Sequence, residues 1–154
     1  MNKSNSLFMR LALLIGFVVQ CVLLQASTLI DGLYYGLDTS NRTATVTYQT
    51  TGSDNYASLP ANIVIPESVT SEGVTYSVTK IGDKAFANCK ALESISIPAT
   101  VVQVGRNTYD SNLPFYNCTS LKSIRFEDGA QKLVLGAYYN GGSIGKGLFS
   151  CSSL

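Results

Sequence analysis

A unit centred on cysteine repeats along the second half of the sequence, and it constrains the fold more than any other feature. Cys89, Cys118 and Cys151 are each followed three residues later by leucine. Phenylalanine stands three residues before the first two cysteines, and two alternating apolar residues follow each of the corresponding leucines. The unit F-x-x-C-x-x-L-x-x-I-x-I therefore occurs at 86–97 and again, with Phe in the last position, at 115–126.

The unit extends on both sides of this centre. Its longest form, I-G-x-x-A-F-x-x-C-x-x-L-x-x-I-x-I-P-x-x-V-x-x-V-G, covers Ile81–Gly105. Ile63–Val69 resembles Ile95–Val101 and forms a partial unit upstream, while a third cysteine-centred copy occupies 148–154. The spacing of 23 residues between the first Ile and the last Val of the long form lies within the period of a leucine-rich repeat.

Each position of the unit has a physical reason. Ile95 and Ile97 alternate with polar residues, so both point to the same side of a short strand. Pro98 cannot donate a hydrogen bond to a ladder and ends the strand, and the glycines permit tight turns. Phe86 and Leu92 are expected to fill the inside of the coil. One coil cannot bury its apolar face alone, so stacking on its neighbours completes the core.

The motif resembles the BspA-type leucine-rich repeat, which is common in surface and secreted proteins of anaerobic oral and gut bacteria. The resemblance covers residues 63–154 and implies a leucine-rich-repeat solenoid of the α/β class, made mostly of short parallel strands and turns with little helix. It also implies adhesion to host proteins, host cells or other microbes. Two segments depart from the period: 106–114 carries six extra residues, and the connection at 127–143 is long.

Residues 1–26 are predicted to be a secretory signal peptide. The first ten residues carry two basic residues and no acid, and the apolar run at 11–24 is followed by small residues. The run is shorter than the ~20 residues of a membrane-spanning helix, and an uncleaved anchor is the alternative. Lipoprotein anchoring at Cys21 is disfavoured because the preceding Gln20 is not small. The exported chain is expected to be secreted or at the cell surface, without membrane insertion.

Residues 27–60 precede the repeats and are predicted to form an N-terminal β-hairpin cap. Leu33–Leu37 and Thr43–Tyr48 are predicted strands on either side of a turn-rich tetrad. The hairpin is expected to cover the end of the solenoid built by the repeats at 61–154, because terminal repeats must be covered. A small binding module is the alternative. Gly73–Val78 is expected to add a strand within the first connection.

The amino-acid composition excludes several kinds of catalytic and metal-binding site. The chain has no histidine, which excludes Ser-His-Asp and Cys-His catalysis and zinc held by histidine. Without the two basic residues of the signal peptide, 9 basic residues stand against 10 acidic ones, so nucleic acid is not an expected partner. Glu127 and Asp128 are the only adjacent acids and precede a glycine, a pattern more typical of a turn than of a catalytic pair. We expect a binding protein without enzymatic activity, cofactor or metal.

The cysteines of the repeat are expected to be buried free thiols. Cys89, Cys118 and Cys151 occupy one phase of the repeat beside a core leucine, and buried cysteine behaves as a small hydrophobe. A bridge between neighbouring coils is the alternative, because strands stack ~4.8 Å apart and bridged Cα atoms lie ~5.5 Å apart.

Two groups of residues are candidates for a ligand-binding surface. One faces outward from the repeat strands, and the other consists of tyrosines in the long connections, where insertions in repeat proteins often lie near the binding face. Plain solubility and the tethering of long loops are the alternative roles. The expected partner is a host or microbial surface protein, and the alternative is a glycan stacked on the tyrosines. The candidates are Ser94, Ser96, Ser123, Arg125 and Glu127 on the strands, with Tyr109, Tyr138 and Tyr139 in the loops.

The end of the third unit carries a further expectation. Leu154 matches the leucines that lead into a strand in the two earlier units, but no strand follows it. We therefore expect the chain to be a C-terminally truncated piece of a longer solenoid, of low stability alone, because about three repeats are usually needed. One further consensus unit and a polar cap are expected to raise its unfolding midpoint.

Overall fold

The computed structural model describes residues 27–48, 56, 59–105, 113–129 and 134–135. In these ranges the regular elements are ten β-strands, and no helix is present. The strands form a seven-stranded sheet and a three-stranded sheet. The expectation of short strands with little helix is confirmed for this part of the chain. The strands are β1 (Thr28–Ile30), β2 (Leu33–Asp38), β3 (Thr43–Thr47), β4 (Asn62–Val64), β5 (Ser68–Ser71), β6 (Val74–Ile81), β7 (Ser94–Ile97), β8 (Gln103–Val104), β9 (Ser123–Phe126) and β10 (Val134–Leu135).

The first three strands form an antiparallel meander. β1 and β2 are joined by Asp31 and Gly32, which both have positive φ angles, 47° and 84°, as a type I′ hairpin turn requires. The next turn is held by Asp38, whose Oδ1 accepts hydrogen bonds of 3.0 Å from the backbone N–H groups of Ser40 and Asn41. The predicted hairpin of β2 and β3 is therefore present, with its turn chemistry as expected.

β6 connects the meander to the repeats, and it departs from the sequence-based expectation. β3 pairs with β6 in parallel, with a register shift between Ala44 and Thr45. The strand expected over Gly73–Val78 extends to Ile81, because its last residues pair with β3 on one side and β8 on the other. β5 was not expected from the sequence; it pairs antiparallel with β6 across a turn in which Gly73 has a φ of 78°.

Successive repeats place corresponding residues beside each other in both sheets. In the three-stranded sheet, β4, β7 and β9 are parallel, and Ile95 pairs with Ile63 on one side and Ile124 on the other. In the larger sheet, β6, β8 and β10 are parallel in the same way. The apolar positions of the motif therefore form rows that run across the strands.

The core between the sheets consists of apolar side chains and contains no buried polar or charged residue within the described ranges. A column of aromatic rings runs through it. Phe86 stacks on Phe115 with ring centroids 5.5 Å apart and on Tyr56 at 6.0 Å. The Tyr56 hydroxyl donates a 2.8 Å hydrogen bond to the Thr47 carbonyl oxygen, and Tyr34 packs on the Tyr56 ring at 5.4 Å. The column thus links the meander to the repeats.

An asparagine precedes each of the two described repeat cysteines and occupies a left-handed turn. Asn88 and Asn117 have φ angles of 64° and 58°, a region that L residues other than Asn and Asp seldom adopt. The Asn117 Nδ2 donates a 2.9 Å hydrogen bond to the Asn88 Oδ1. The backbone N–H of Asn88 also donates to the Tyr116 carbonyl oxygen at 2.7 Å. These contacts join one repeat to the next at the turn.

Asn117→Ala should lower the free energy of unfolding by about 1–2 kcal/mol, because alanine is strained at positive φ and the side-chain hydrogen bond is lost. Asn117→Gly should cost less, since glycine adopts this conformation freely. Asn62→Ala is the control: it also removes an exposed side-chain hydrogen bond between repeats, from Ser94, but its backbone has no positive φ, and it should stay within about 0.5 kcal/mol of the parent. Urea unfolding measures all three. A glycine variant less stable than the alanine variant would contradict the assignment.

Candidate functional site

The solvent-facing side of the three-stranded sheet carries two rows of side chains, which we call the outer face. The register places Asn62, Ser94 and Ser123 side by side in the first row. Successive residues of a strand point to opposite sides. The next row, formed by Ile63, Ile95 and Ile124, therefore points into the core. The second row of the outer face consists of Val64, Ser96 and Arg125.

Hydrogen bonds join neighbouring strands across the outer face. The Ser94 hydroxyl donates to the Asn62 Oδ1 at 2.6 Å. The Ser96 hydroxyl lies 3.4 Å from the Glu127 Oε1 and donates to it. Both contacts run from one repeat to the next, so the serines link side chains of neighbouring strands.

An ion pair borders the outer face at the beginning of β7 and β9. The Lys122 Nζ lies 3.2 Å from the Glu93 Oε2, and both side chains are largely exposed. Exposed pairs of this kind contribute about 0–1 kcal/mol to stability. Lys122 and Glu93 also join the two strands through the backbone, because the Lys122 N–H donates to the Glu93 carbonyl oxygen at 2.8 Å.

The structure brings five of the eight candidate residues together on one side of the sheet. Ser123, Arg125 and Glu127 are exposed, and Ser94 and Ser96 are partly exposed between the strands. The three loop tyrosines lie outside the described residues, so their part in a site stays a prediction. The candidates in question are Tyr109, Tyr138 and Tyr139.

Sequence reasoning missed two members of the outer face, Asn62 and Val64. Val64 is 73% exposed and lies in the same row as Ser96. The signal was present, because the I-V-I-P run at 63–66 matches the I-S-I-P run at 95–98. Reading the partial upstream unit as a strand in register with the full one would have found both residues.

The described cysteines are buried thiols, as expected from their phase in the repeat. The Cys118 Sγ donates to the Phe86 carbonyl oxygen at 3.0 Å, which is a contact between successive repeats. Burial, with a smaller contribution from Cys118, raises the pKa of the Cys89 thiol to about 12. A neutral buried thiol is a poor nucleophile and a poor metal ligand. Cys151 lies outside the described residues.

Cys89→Ala should lower the free energy of unfolding by about 1–2 kcal/mol through lost packing. Cys89→Ser should cost more, because the acceptor of the thiol hydrogen bond, the Ala87 carbonyl oxygen, lies 4.0 Å from the Sγ and a buried hydroxyl without a good partner is penalised.

The pH dependence provides a second readout at Cys89. The thiol pKa is raised in the folded state from its ordinary value of 9.0, so its contribution to stability is complete below pH 9 and declines as the pH rises toward 12. The advantage of the parent over Cys89→Ala should therefore be smaller at pH 10 than at pH 7 in urea unfolding. An equal advantage at both values would contradict the burial of this thiol.

Two further observations concern metal binding and membrane-spanning helices. In the described part of the chain, Cys, Asp and Glu side chains form no cluster of three or more that could hold a metal ion. Within the same ranges, no helix has the length and apolarity needed to cross a bilayer.

Repeats of this spacing, with parallel strands in register and core positions that recur from one repeat to the next, define a leucine-rich-repeat protein. The family described as the BspA type leucine rich repeat region matches residues 56–154 with six copies. The chain belongs to this family. The match begins at residue 56, and the boundary between cap and repeats at residue 60 stays a prediction. No curated protein matches the sequence.

Solved structures of bacterial proteins are similar to this chain. A leucine rich cell surface protein from Faecalibacterium prausnitzii is 35% identical, with a TM-score of 0.51. The similarity covers 72% of this chain and 26% of that protein. A leucine-rich repeat protein from Bacteroides ovatus is 21% identical with a TM-score of 0.50, covering 80% of this chain and 33% of that protein. The second likeness concerns the fold alone.

Proposed function

We propose that this chain is a secreted or cell-surface binding protein that adheres through the outer face to proteins on host cells or other microbes. The observation that carries the proposal is the row formed by Val64, Ser96 and Arg125. An exposed apolar side chain and an exposed guanidinium thus lie on the same side of one sheet. Protein interfaces are enriched in arginine and need apolar contact at their centre. The cell-surface description of the Faecalibacterium protein supports the proposed location.

The size of the outer face sets the strength of the contact. Three strands ~4.8 Å apart span about 10 Å, and four residues at ~3.4 Å each extend about 14 Å along a strand. The resulting area, on the order of 150 Å², is far less than the ~800 Å² per partner of a standard interface. A single chain therefore binds weakly, and contact gains strength when several copies or further repeats engage one surface at once.

We also propose that the repeats stack as a solenoid whose first coil is covered by the hairpin of β2 and β3. The parallel pairing of β3 with β6 supports this arrangement. Ala44 and Val46 of β3 are fully buried, so the hairpin contributes apolar surface to the core of the repeats. We propose as well that residues 1–26 are a signal peptide and are removed on export.

We propose binding rather than catalysis. The neutral state of Cys89 and the exposure of Glu127 on an open surface support this view. An acid or base catalyst needs a partner group at a set separation in a site that restricts water. The outer face offers a wide polar surface suited to contact with another macromolecule.

The experiment compares binding of the exported chain to immobilised matrix glycoproteins in their native and enzymatically deglycosylated forms. Arg125→Glu should weaken binding about tenfold, the effect of one well-placed interface residue. Lys90→Glu makes the same charge change at an exposed turn residue that is not part of the outer face and should leave binding unchanged. Binding should survive deglycosylation. Equal effects of the two variants would refute the role of the outer face, and loss on deglycosylation would favour carbohydrate recognition.

A further inference from the structure

A polar groove lies on the seven-stranded sheet, where the parallel strands β3, β6 and β8 end. Its volume is about 570 Å³, within the roughly 300–1,000 Å³ typical of small-molecule sites. The groove belongs to a different sheet from the outer face. It is therefore a separate site, and its occupation does not depend on the function proposed above.

Two glycines of the repeat line the groove. Gly82 follows β6 and Gly105 follows β8, at the same position of successive repeats. The Gly82 N–H donates to the Val46 carbonyl oxygen and the Gly105 N–H to the Ile81 carbonyl oxygen, both at 2.8 Å. The backbone ladder thus continues past the strands. A Cβ added at Gly82 would lie 3.1 Å from the Val46 carbonyl oxygen and 3.3 Å from the Thr45 Cγ2, so this edge of the groove has room for glycine but little for a side chain.

Side chains of three different chemical types form a row beside these glycines. Lys80 pairs with Thr45 on one side and with Gln103 on the other, which places a hydroxyl, an ammonium and a carboxamide side by side. The Gln103 Nε2 donates a 3.0 Å hydrogen bond to the Gly105 carbonyl oxygen, and this bond fixes the carboxamide at the groove. Tyr48 is also part of the lining.

Charges at the groove are close to balance. The lining contains Lys80, Lys84 and Asp83. The pKa of the Asp38 carboxyl is lowered, mainly by hydrogen bonds from Asn41 and in smaller part by the charge of Lys80, so a second carboxylate lies near that lysine. A ligand with a strong negative charge would meet nearby carboxylates as well as the lysines. A neutral ligand with many hydrogen-bonding groups meets no such conflict.

We propose that this groove binds a short neutral oligosaccharide. The lining contains both hydrogen-bond donors and hydrogen-bond acceptors. A ligand covered with hydroxyl groups requires both, because each hydroxyl removed from water needs a hydrogen-bond partner. Tyr48, also in the lining, combines an apolar ring with a polar tip, a combination that suits the flat faces of sugar rings. An apolar ligand would leave the polar lining without partners and is disfavoured for the same reason.

The test is chemical-shift mapping on the isotope-labelled exported chain. The probes are maltotriose, cellotriose and N-acetyllactosamine, with sialyllactose as an acidic sugar and triglutamate as an acidic peptide. At least one neutral sugar should produce saturable shifts at Thr45, Lys80 and Gly82 by ~10 mM, about ten times a millimolar Kd. Shifts confined to β4, β7 and β9 would overturn the proposal, and so would no saturable shift with any neutral sugar.

Two variants distinguish a loss of sugar binding at the groove from a general effect on the fold. Thr45→Val keeps the side-chain shape but removes the hydroxyl, and it should weaken the bound sugar about fivefold to tenfold, the effect of one hydrogen bond. Thr70→Val is the same change in β5, outside the groove lining, and should leave the affinity unchanged. Equal affinities for both variants, or tighter binding of sialyllactose or triglutamate than of every neutral sugar, would contradict the proposal.

Discussion

Ile95→Lys is expected to unfold the protein, whereas Ser96→Lys, one residue further along β7, leaves its stability almost unchanged. Ile95 is 2% exposed and lies in the central strand between Ile63 and Ile124. An ammonium group there would be buried among apolar side chains without a partner. The cost of more than about 4 kcal/mol is comparable with the 5–15 kcal/mol by which most domains are stable.

Ser96→Lys is the matched control, because it introduces the same side chain on the opposite side of the same strand. Its Nζ can approach Glu127, which already accepts a hydrogen bond from the Ser96 hydroxyl at 3.4 Å. The free energy of unfolding should stay within about 0.5 kcal/mol of the parent. Circular dichroism and urea unfolding measure both variants. A folded Ile95→Lys variant, or an unfolded Ser96→Lys variant, would mean that the assigned sides of β7 are reversed.

Phe86→Ala is expected to reduce the free energy of unfolding by about 3–5 kcal/mol, the range for an aromatic residue removed from a core. Phe86 is fully buried and stacks on Phe115 on one side and Tyr56 on the other. The change therefore removes ring contacts with two neighbours and leaves a cavity where the meander meets the repeats.

Tyr116→Ala is the control for this prediction, because Tyr116 is 46% exposed and lies outside the aromatic column. Its loss should cost about 1 kcal/mol or less. Urea unfolding at neutral pH compares the two variants. A loss below 1 kcal/mol for Phe86→Ala would show that the column does not hold the repeats together.

Local patterns in the sequence were sufficient to predict the strands and the sides of the repeat units. The alternation of Ile95 and Ile97 with serines predicts which side chains are buried, because the period of a strand is two residues. The end of β7 before Pro98 follows from the missing N–H of proline. The turn after β2 follows from the side-chain chemistry of Asp38. None of these features depends on distant residues.

Features that depend on long-range register were not predictable in the same way. Tyr56 occupies the aromatic column, yet it precedes Ile63 by seven residues, whereas Phe86 precedes Ile95 by nine. The different spacing hides the correspondence. The family match from residue 56 with six copies includes units that lack the cysteine by which the sequence pattern was recognised.

The groove on the larger sheet also depends on register. It requires Thr45 of β3 to lie beside Lys80 of β6, and the pairing shifts between Ala44 and Thr45. A register shift of this kind cannot be read from either strand alone, since it is set by how two distant segments pack. The residues of the outer face come from equivalent positions of repeats, and this is why most of them could be predicted.

Photo-cross-linking from the outer face tests the central claim most directly. p-Benzoylphenylalanine replaces Val64 in one variant and Val74 in the other, two exposed valines on different sheets. Each variant is bound to the immobilised matrix glycoprotein that the parent chain binds, and is then irradiated. We expect a covalent adduct from position 64 and little or none from position 74. The account would be contradicted if both variants still bind and the adduct forms from position 74 but not from position 64.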